Sequence, residues 1–289
     1  MIEEALLRAA PVDGVVRLSA AGPLSADVIA KPLRGHPGAT ERAVYETVLS
    51  ELGVDSPRFF GVVEGEDGTV WLILEELDGE RFDPERPDHR AAAGRWLGRL
   101  HAAAASSDAA RQLPERGSQH HREVLRAARG AVERGLENDR LPVRGRAALL
   151  MLLDRLSQVE GRWPELEEWL ATVPSTLVHG DLAAKNARIR STPEGPVFAA
   201  FDWESAGWGP PAADLATVDA NSYREAAGGW SALRDADVPT LAACGRVFRN
   251  LALVAWSRHH LEGESVASAV DFKLRSYGSW LADDLATLP

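Results

Sequence analysis

The sequence predicts an α+β protein with two lobes, a small β-rich one over residues 1–77 and a larger helical one over residues 78–289. Three observations predict it. Up to residue 77, short apolar runs alternate with turn-forming residues, and only one helical stripe intervenes. Beyond the polar junction Glu75-Glu76-Leu77-Asp78-Gly79-Glu80, apolar residues recur mostly at helical spacing. Within that helical half, a single strand–loop–hairpin unit between Ser175 and Asp202 carries the densest group of chemistry-bearing side chains.

In chain order, residues 3–10 suggest a short leading helix. Residues 15–18 and 27–33 read as strands separated by Ser19-Ala20-Ala21-Gly22-Pro23. Thr40 resembles a helix N-cap ahead of the stripe Val44, Tyr45, Val48, Leu49 and Leu52, and Gly53 ends that helix. Strands over 58–64 and 69–74 follow, joined by Gly65-Glu66-Asp67-Gly68. The second lobe reads as helices over 90–105, 119–136 and 143–170. The hairpin unit comes next, then a helix opened by Pro210-Pro211 and further helices to residue 288. The only cysteine, Cys244, excludes an intramolecular disulfide and sits in the apolar run Leu241-Ala242-Ala243-Cys244, as a buried small hydrophobe would.

At 289 residues and 45% hydrophobic composition, the chain is long enough for two cores. A net charge of −11 argues against nucleic acid or an anionic membrane as partner and is compatible with a cationic small substrate. The opening Met1-Ile2-Glu3-Glu4 has no secretory character, and nowhere do eighteen apolar residues run uninterrupted, so a cytoplasmic enzyme is the expectation.

The hairpin unit sets the chemistry. An apolar strand runs into His179-Gly180-Asp181-Leu182-Ala183-Ala184-Lys185-Asn186. A strand over 187–190, a breaker-rich turn over 191–196 and a return strand over 197–201 then lead to Asp202. A hairpin with arms of similar length brings Asn186 and Asp202 side by side, with Asp181 on the loop before them. Two carboxylates and a carboxamide oxygen suit a hard cation such as Mg²⁺, with phosphate completing its shell. Lys31 shares a strand face with Ile29 and Leu33, and a lysine on an apolar face needs a counter-charge. At ~100° per residue, Glu41 falls within about 20° of Val48 and Leu52 on the inward stripe, whereas Glu46 lies roughly 160° from Val48, so Glu41 is the better partner. A strand lysine held by a helix glutamate, facing Asp, Asn and Asp, is a parts list for phosphoryl transfer from a nucleotide. The His179-x-Asp181 spacing also admits a metallohydrolase, although no second histidine pair stands at ligand spacing nearby.

These motifs resemble the aminoglycoside phosphotransferase family, which has a protein-kinase-like fold and includes choline-kinase-like small-molecule kinases. His179-Gly180-Asp181 to Asn186 resembles its HGDxxxxN loop, and Phe201-Asp202-Trp203-Glu204 its metal-binding segment. Pro211-Ala212-Ala213-Asp214-Leu215-Ala216 resembles PxxDLA, Leu97-Gly98-Arg99-Leu100-His101 resembles LGxLH, and Glu41-Arg42-Ala43-Val44-Tyr45 resembles ExxxY. Residues 71–79 resemble the strand and hinge that take adenine. In order, these matches span roughly residues 28–216.

The resemblance implies a bilobal protein-kinase-like fold and an ATP- and Mg²⁺-dependent small-molecule O-phosphotransferase. Asp181 would receive the acceptor's hydroxyl proton, and Asn186 and Asp202 would hold Mg²⁺. Lys31, steadied by Glu41, would contact the α- and β-phosphates. Backbone groups of Glu75 and Leu77 would read the adenine edge, with Leu74 behind it, and His179 and Asp214 would brace the loop. The acceptor it implies is an antibiotic or related natural product, with a sugar or amino-alcohol metabolite as the alternative. Two departures stand out. Ser19–Pro23 holds one glycine where a phosphate-covering loop is expected, which leaves a nucleotide-binding pseudokinase as a rival reading. Lys185 stands where the family rarely puts a cation; it would either reach the γ-phosphate as an extra catalytic charge or lie in solvent.

Overall fold

A computed structural model describes residues 14–19, 22–23, 27–65, 67–285 and 288. The helix expected over 3–10 and part of the Ser19–Pro23 loop lie outside these residues. The elements run, in order, β1 (Val16–Leu18), β2 (Val28–Pro32), α1 (Gly35–Ala43), β3 (Phe59–Glu64), β4 (Val70–Glu75), β5 (Glu80–Arg81), α2 (Pro87–Ala104) and α3 (Asp108–Arg111). Then come α4 (Ser118–Leu136), α5 (Val143–Gly161), α6 (Trp163–Leu170), β6 (Thr176–Val178), β7 (Ala187–Thr192), β8 (Gly195–Ala200) and β9 (Gly207–Gly209). The chain closes with α7 (Ala220–Ala226), α8 (Val238–Trp256), α9 (Arg258–Glu262), α10 (Val266–Ala269) and α11 (Arg275–Leu285). By their contacts, Met1–Pro114, Thr176–Trp208 and Asn221–Trp230 form one compact unit, and Glu115–Ser175, Gly209–Ala220 and Ser231–Pro289 form a second.

In the first unit, β1-β2-β4-β3 make an antiparallel sheet in which Ile29 faces Leu74 and Lys31 faces Leu72. Alternation along β2 sends Val28 and Ala30 to the other face, where they join Leu18 and Ile73 in a small core. The helix after β2 begins at Gly35, not at a Thr40 cap. Pro37 accounts for the earlier start: its fixed φ and missing N–H suit the first helical turn, and Thr40 is buried inside the helix. Helix α1 continues through a π-turn, Val44–Val48, into a last turn, Leu49–Leu52, which Gly53 stops at φ +61°.

The hairpin that follows the His179–Asn186 loop is β7–β8, with Ala187 opposite Ala200 and Thr192 opposite Gly195. Both arms extend further than expected because Gly195 takes φ +115° and lets the chain reverse over fewer residues. Strand β5 joins this sheet through Glu80↔Ile189 and Arg81↔Arg188. The sequence gives no sign of it, since two charged residues carry no periodicity. Beneath the hairpin, the Trp96 ring of α2 lies 5.2 Å from Phe198 and 6.2 Å from Trp203, centroid to centroid. Trp203 is fully buried here, a core residue.

The second unit is helical. The helix expected over 143–170 is two, α5 and α6, because Pro164 cannot donate the N–H that a continuous helix needs at that point. Helices α4 and α8 pack together, and the His121 ring of α4 lies flat on Phe248 of α8, 3.8 Å between centroids and 6° between planes. The segment after Pro210 is a 3-10 run, Pro211–Thr217, against which α8 packs closely: a Cβ at Gly245 would stand 2.0 Å from the Ala212 carbonyl oxygen. Cys244 is buried, and among the described residues no helix is long and apolar enough to cross a membrane.

Candidate active site

Strand β6 delivers His179 to a fully buried position, where its ring is engaged at both nitrogens. Nδ1 accepts the Asp181 N–H at 3.3 Å, so Nε2 carries the proton and donates it to the Phe201 carbonyl at 3.0 Å. The ring also packs on Trp203, 4.6 Å between centroids. His179 is therefore a brace that ties the loop to the end of β8, and neither nitrogen is left for a metal. Gly180 lies at φ +79°, and a Cβ there would stand 2.5 Å from the Ser205 carbonyl oxygen, so this turn requires glycine.

Asp181 follows on this turn, 12% exposed. Asn186 Nδ2 donates to both its carbonyl oxygen and its Oδ2, each at 3.0 Å, and Lys185 Nζ lies 3.2 Å from the same Oδ2. Two donors on one oxygen hold the carboxylate and leave Oδ1 for an incoming group. The Asn186 amide, with its nitrogen committed to Asp181, keeps Oδ1 as a possible metal ligand. Lys185 is not a free surface cation, although it is exposed. The hairpin register sets Asn186 against Phe201, whose N–H donates to the Asn186 carbonyl at 2.9 Å; Asp202 stands one residue beyond the side-by-side position expected.

Asp202 is left-handed, at φ 69° and ψ 64°, and among the described residues it alone of the non-glycines has positive φ. Asp tolerates this region better than most residues, and such strain concentrates at functional sites. The turn aims its carboxylate at Lys31 Nζ, 2.5 Å from Oδ1. The same ammonium lies 2.8 Å from Glu41 Oε2 and 3.0 Å from Glu204 Oε1. Glu41 is fully buried, and its other oxygen accepts the Trp203 N–H at 3.2 Å. Burial by itself would lower the Lys31 pKa, but the Glu41 and Asp202 carboxylates outweigh it and hold the ammonium well above its ordinary range. Burial raises the Glu41 pKa; Lys31 opposes the rise, and Asp202 and Glu204 add to it.

One ammonium among three carboxylates leaves two negative charges uncompensated. Oxygens of Glu41, Asp202 and Glu204 all lie within 4.8 Å of one another. This hard-oxygen, charge-rich donor set fits a divalent cation such as Mg²⁺. The sequence reading missed Glu204 as a partner of Lys31, because a 3-10 turn, Trp203–Ser205, carries it back toward β2. A cavity of about 400 Å³ opens beside Lys31 and Asp202 and is lined by Ile29, Leu74, Glu75 and Leu77. That volume suits a nucleoside-sized ligand. The Glu75 N–H donates to the Arg58 carbonyl at 2.9 Å. Arg188, singled out by no motif, lines the cavity as well. Asp214 is buried in the second unit, within the Pro211–Thr217 run.

Comparison with known proteins gives the context. A family model described as the phosphotransferase enzyme family matches residues 37–243. No curated protein matches significantly. Among solved structures, the microcompartment-associated aminopropanol kinase is similar at TM-score 0.63 and 16% identity, over 97% of this chain and 94% of that one. A choline/ethanolamine kinase family protein from Mesorhizobium loti gives 0.61 and 18%, over 99% and 98%. An aminoglycoside phosphotransferase from Alicyclobacillus acidocaldarius gives 0.58 and 17%, over 96% and 92%. The α+β, bilobal protein-kinase-like class and the aminoglycoside phosphotransferase resemblance expected from the motifs are both borne out.

Proposed function

Because the chain belongs to the phosphotransferase enzyme family, we propose that it transfers the γ-phosphoryl group of ATP to a hydroxyl of a small molecule, an antibiotic or related natural product. The observation that carries this reading is the convergence of Lys31, Glu41 and Asp202 beside the nucleoside-sized cavity. Glu75 and Leu77 read the base edge through backbone groups, Leu74 backs it, and Lys31 meets the α- and β-phosphates. Asn186 and Asp202 hold Mg²⁺, with Glu204 within reach of the same site. When bound, the metal neutralises charge on the nucleotide phosphates.

Asp181 Oδ1 takes the proton of the acceptor hydroxyl as that oxygen forms its bond to the γ-phosphorus and the bond to the departing ADP oxygen breaks. Lys185 and Asn186 hold the Asp181 carboxylate in its orientation. Little covalent work falls to the protein; rate comes from positioning and charge neutralisation. A second reading, an amino-alcohol kinase, draws support from the aminopropanol and choline/ethanolamine kinases among the structural neighbours.

The test is Mg-ATP turnover against a panel of aminoglycosides, other hydroxylated antibiotics, sugars and amino alcohols. Acceptor-dependent ADP release, reduced about 10²- to 10⁴-fold in Asp181→Asn with Mg-ATP binding retained, is the expected result. Asp202→Asn should lose Mg-dependent nucleotide binding. Nucleotide bound with no turnover on any acceptor would favour a pseudokinase, and turnover unaffected by Asp181→Asn would overturn the assignment.

A further inference from the structure

Among the described residues, Arg188 is the one cation of the cavity wall that the catalytic reading above leaves without a task. It sits on β7 two residues past Asn186, and its side chain lines the cavity together with Leu74, Leu77 and Phe201. It is half-buried, and its Cζ lies 5.1 Å from the centre of the Phe201 ring. Nη1 donates to the Ala187 carbonyl at 3.0 Å, which fixes the guanidinium plane.

Its electrostatic surroundings are unusual. Of the two residues facing it across the sheet, Ala199 is apolar and Arg81 is a like charge. Asp202, Glu204 and Glu41 gather around Lys31. Arg188 shares its wall with Leu74 and Leu77, which the reading above sets at the base, and its guanidinium is already laid against the Phe201 ring.

Resting on the nucleotide-dependent reading, we propose that Arg188 is the base-gripping residue of this cavity, its guanidinium stacking on the face of the purine ring. A planar, weakly hydrated cation stacks on aromatic faces in a way that an ammonium cannot, and the attraction strengthens where water is excluded. Arg188 then gives the pocket affinity for the nucleoside part of its ligand, independently of the phosphate-binding groups.

Calorimetric titration of adenosine, AMP and ADP into the full chain and into Arg188→Met and Arg188→Lys variants tests this. Stacking predicts that Arg188→Met weakens all three ligands by a similar factor, about tenfold. Arg188→Lys, which keeps the charge and loses the plane, should not restore binding. A loss that appears only with the phosphorylated ligands would place Arg188 on a phosphate and overturn the proposal. Full rescue by Arg188→Lys, or unchanged affinity in both variants, would overturn it as well. If the unaltered chain binds none of the three ligands, the nucleotide-dependent reading itself falls, and this inference falls with it.

Discussion

Two clusters, one in each unit, treat buried ionisable groups in opposite ways. In the first, Lys31, Glu41, Asp202 and Glu204 keep a dense, mutually compensating set of charges around one ammonium. In the second, His120 and His121 lie with ring centroids 5.1 Å apart, and charge is removed instead of paired. Burial, with Arg116 adding to it, lowers the His120 pKa to about 4. Burial, with His120 and Arg116 adding to it, lowers that of His121 to about 3 against a weak pull upward from Asp214. Desolvation makes a buried charge expensive, so a fold that needs only packing removes it. A site that must grip phosphate and metal retains charge and accepts the strain of holding it, as the left-handed Asp202 does.

The strongest way to break this contrast is Lys31→Met. It leaves three carboxylates without their ammonium, and because Glu41 is fully buried the loss should be about 3 kcal/mol in urea unfolding, discounted for the partial exposure of Asp202 and Glu204. Adding Glu41→Gln to it should recover part of that loss. A Lys31→Met chain as stable as the parent would mean that the triad is not held together by charge.

Gly180→Ala should come next, at about 2 kcal/mol, from the left-handed backbone and the approach to the Ser205 carbonyl. It should also detach His179 from Asp181, so turnover falls more than stability does. Equal effects on both would argue that the loop does not position Asp181.

The effect that is smallest at neutral pH emerges only in acid. His121 is neutral in the fold and has an ordinary pKa near 6.5 when unfolded, so the unfolded chain binds the proton first as pH drops. Stability is therefore intact above about pH 6.5 and is lost progressively toward pH 3, by roughly 2 kcal/mol at pH 5 from this residue alone. His121→Phe, which keeps a ring on Phe248, should flatten that limb and change stability at pH 7 by under about 1 kcal/mol. A limb of unchanged steepness would place the titrating group elsewhere.

Much of the first unit was legible because its signals are local. Alternation along β2 separated Lys31 from Val28 and Ala30, and helical phase brought Glu41 rather than Glu46 to it. Glu204 and Arg188 were not legible as site residues. The first depends on a 3-10 turn with no sequence periodicity, and the second on a cross-strand neighbour, Arg81, from a strand of two residues. The break between α5 and α6 could have been read from Pro164. The start of α1 could not be read from capping chemistry, because Arg34, an extended residue with no side-chain cap bond, occupies that position.

The π-turn at Val44–Val48 has a consequence for how such a site changes over time. A wide turn is what remains when a helix absorbs a single inserted residue without unwinding. It divides the helix into two segments whose rotations about the axis are set separately. Glu41 can thus stay aimed at the lysine while Val48 and Leu49 stay seated in the core. Removing one residue from that turn would restore a uniform helix and rotate one segment against the other by about 100°. The chain would then have to choose between its ion pair and its packing, which makes this turn a place where length, more than residue identity, is under constraint.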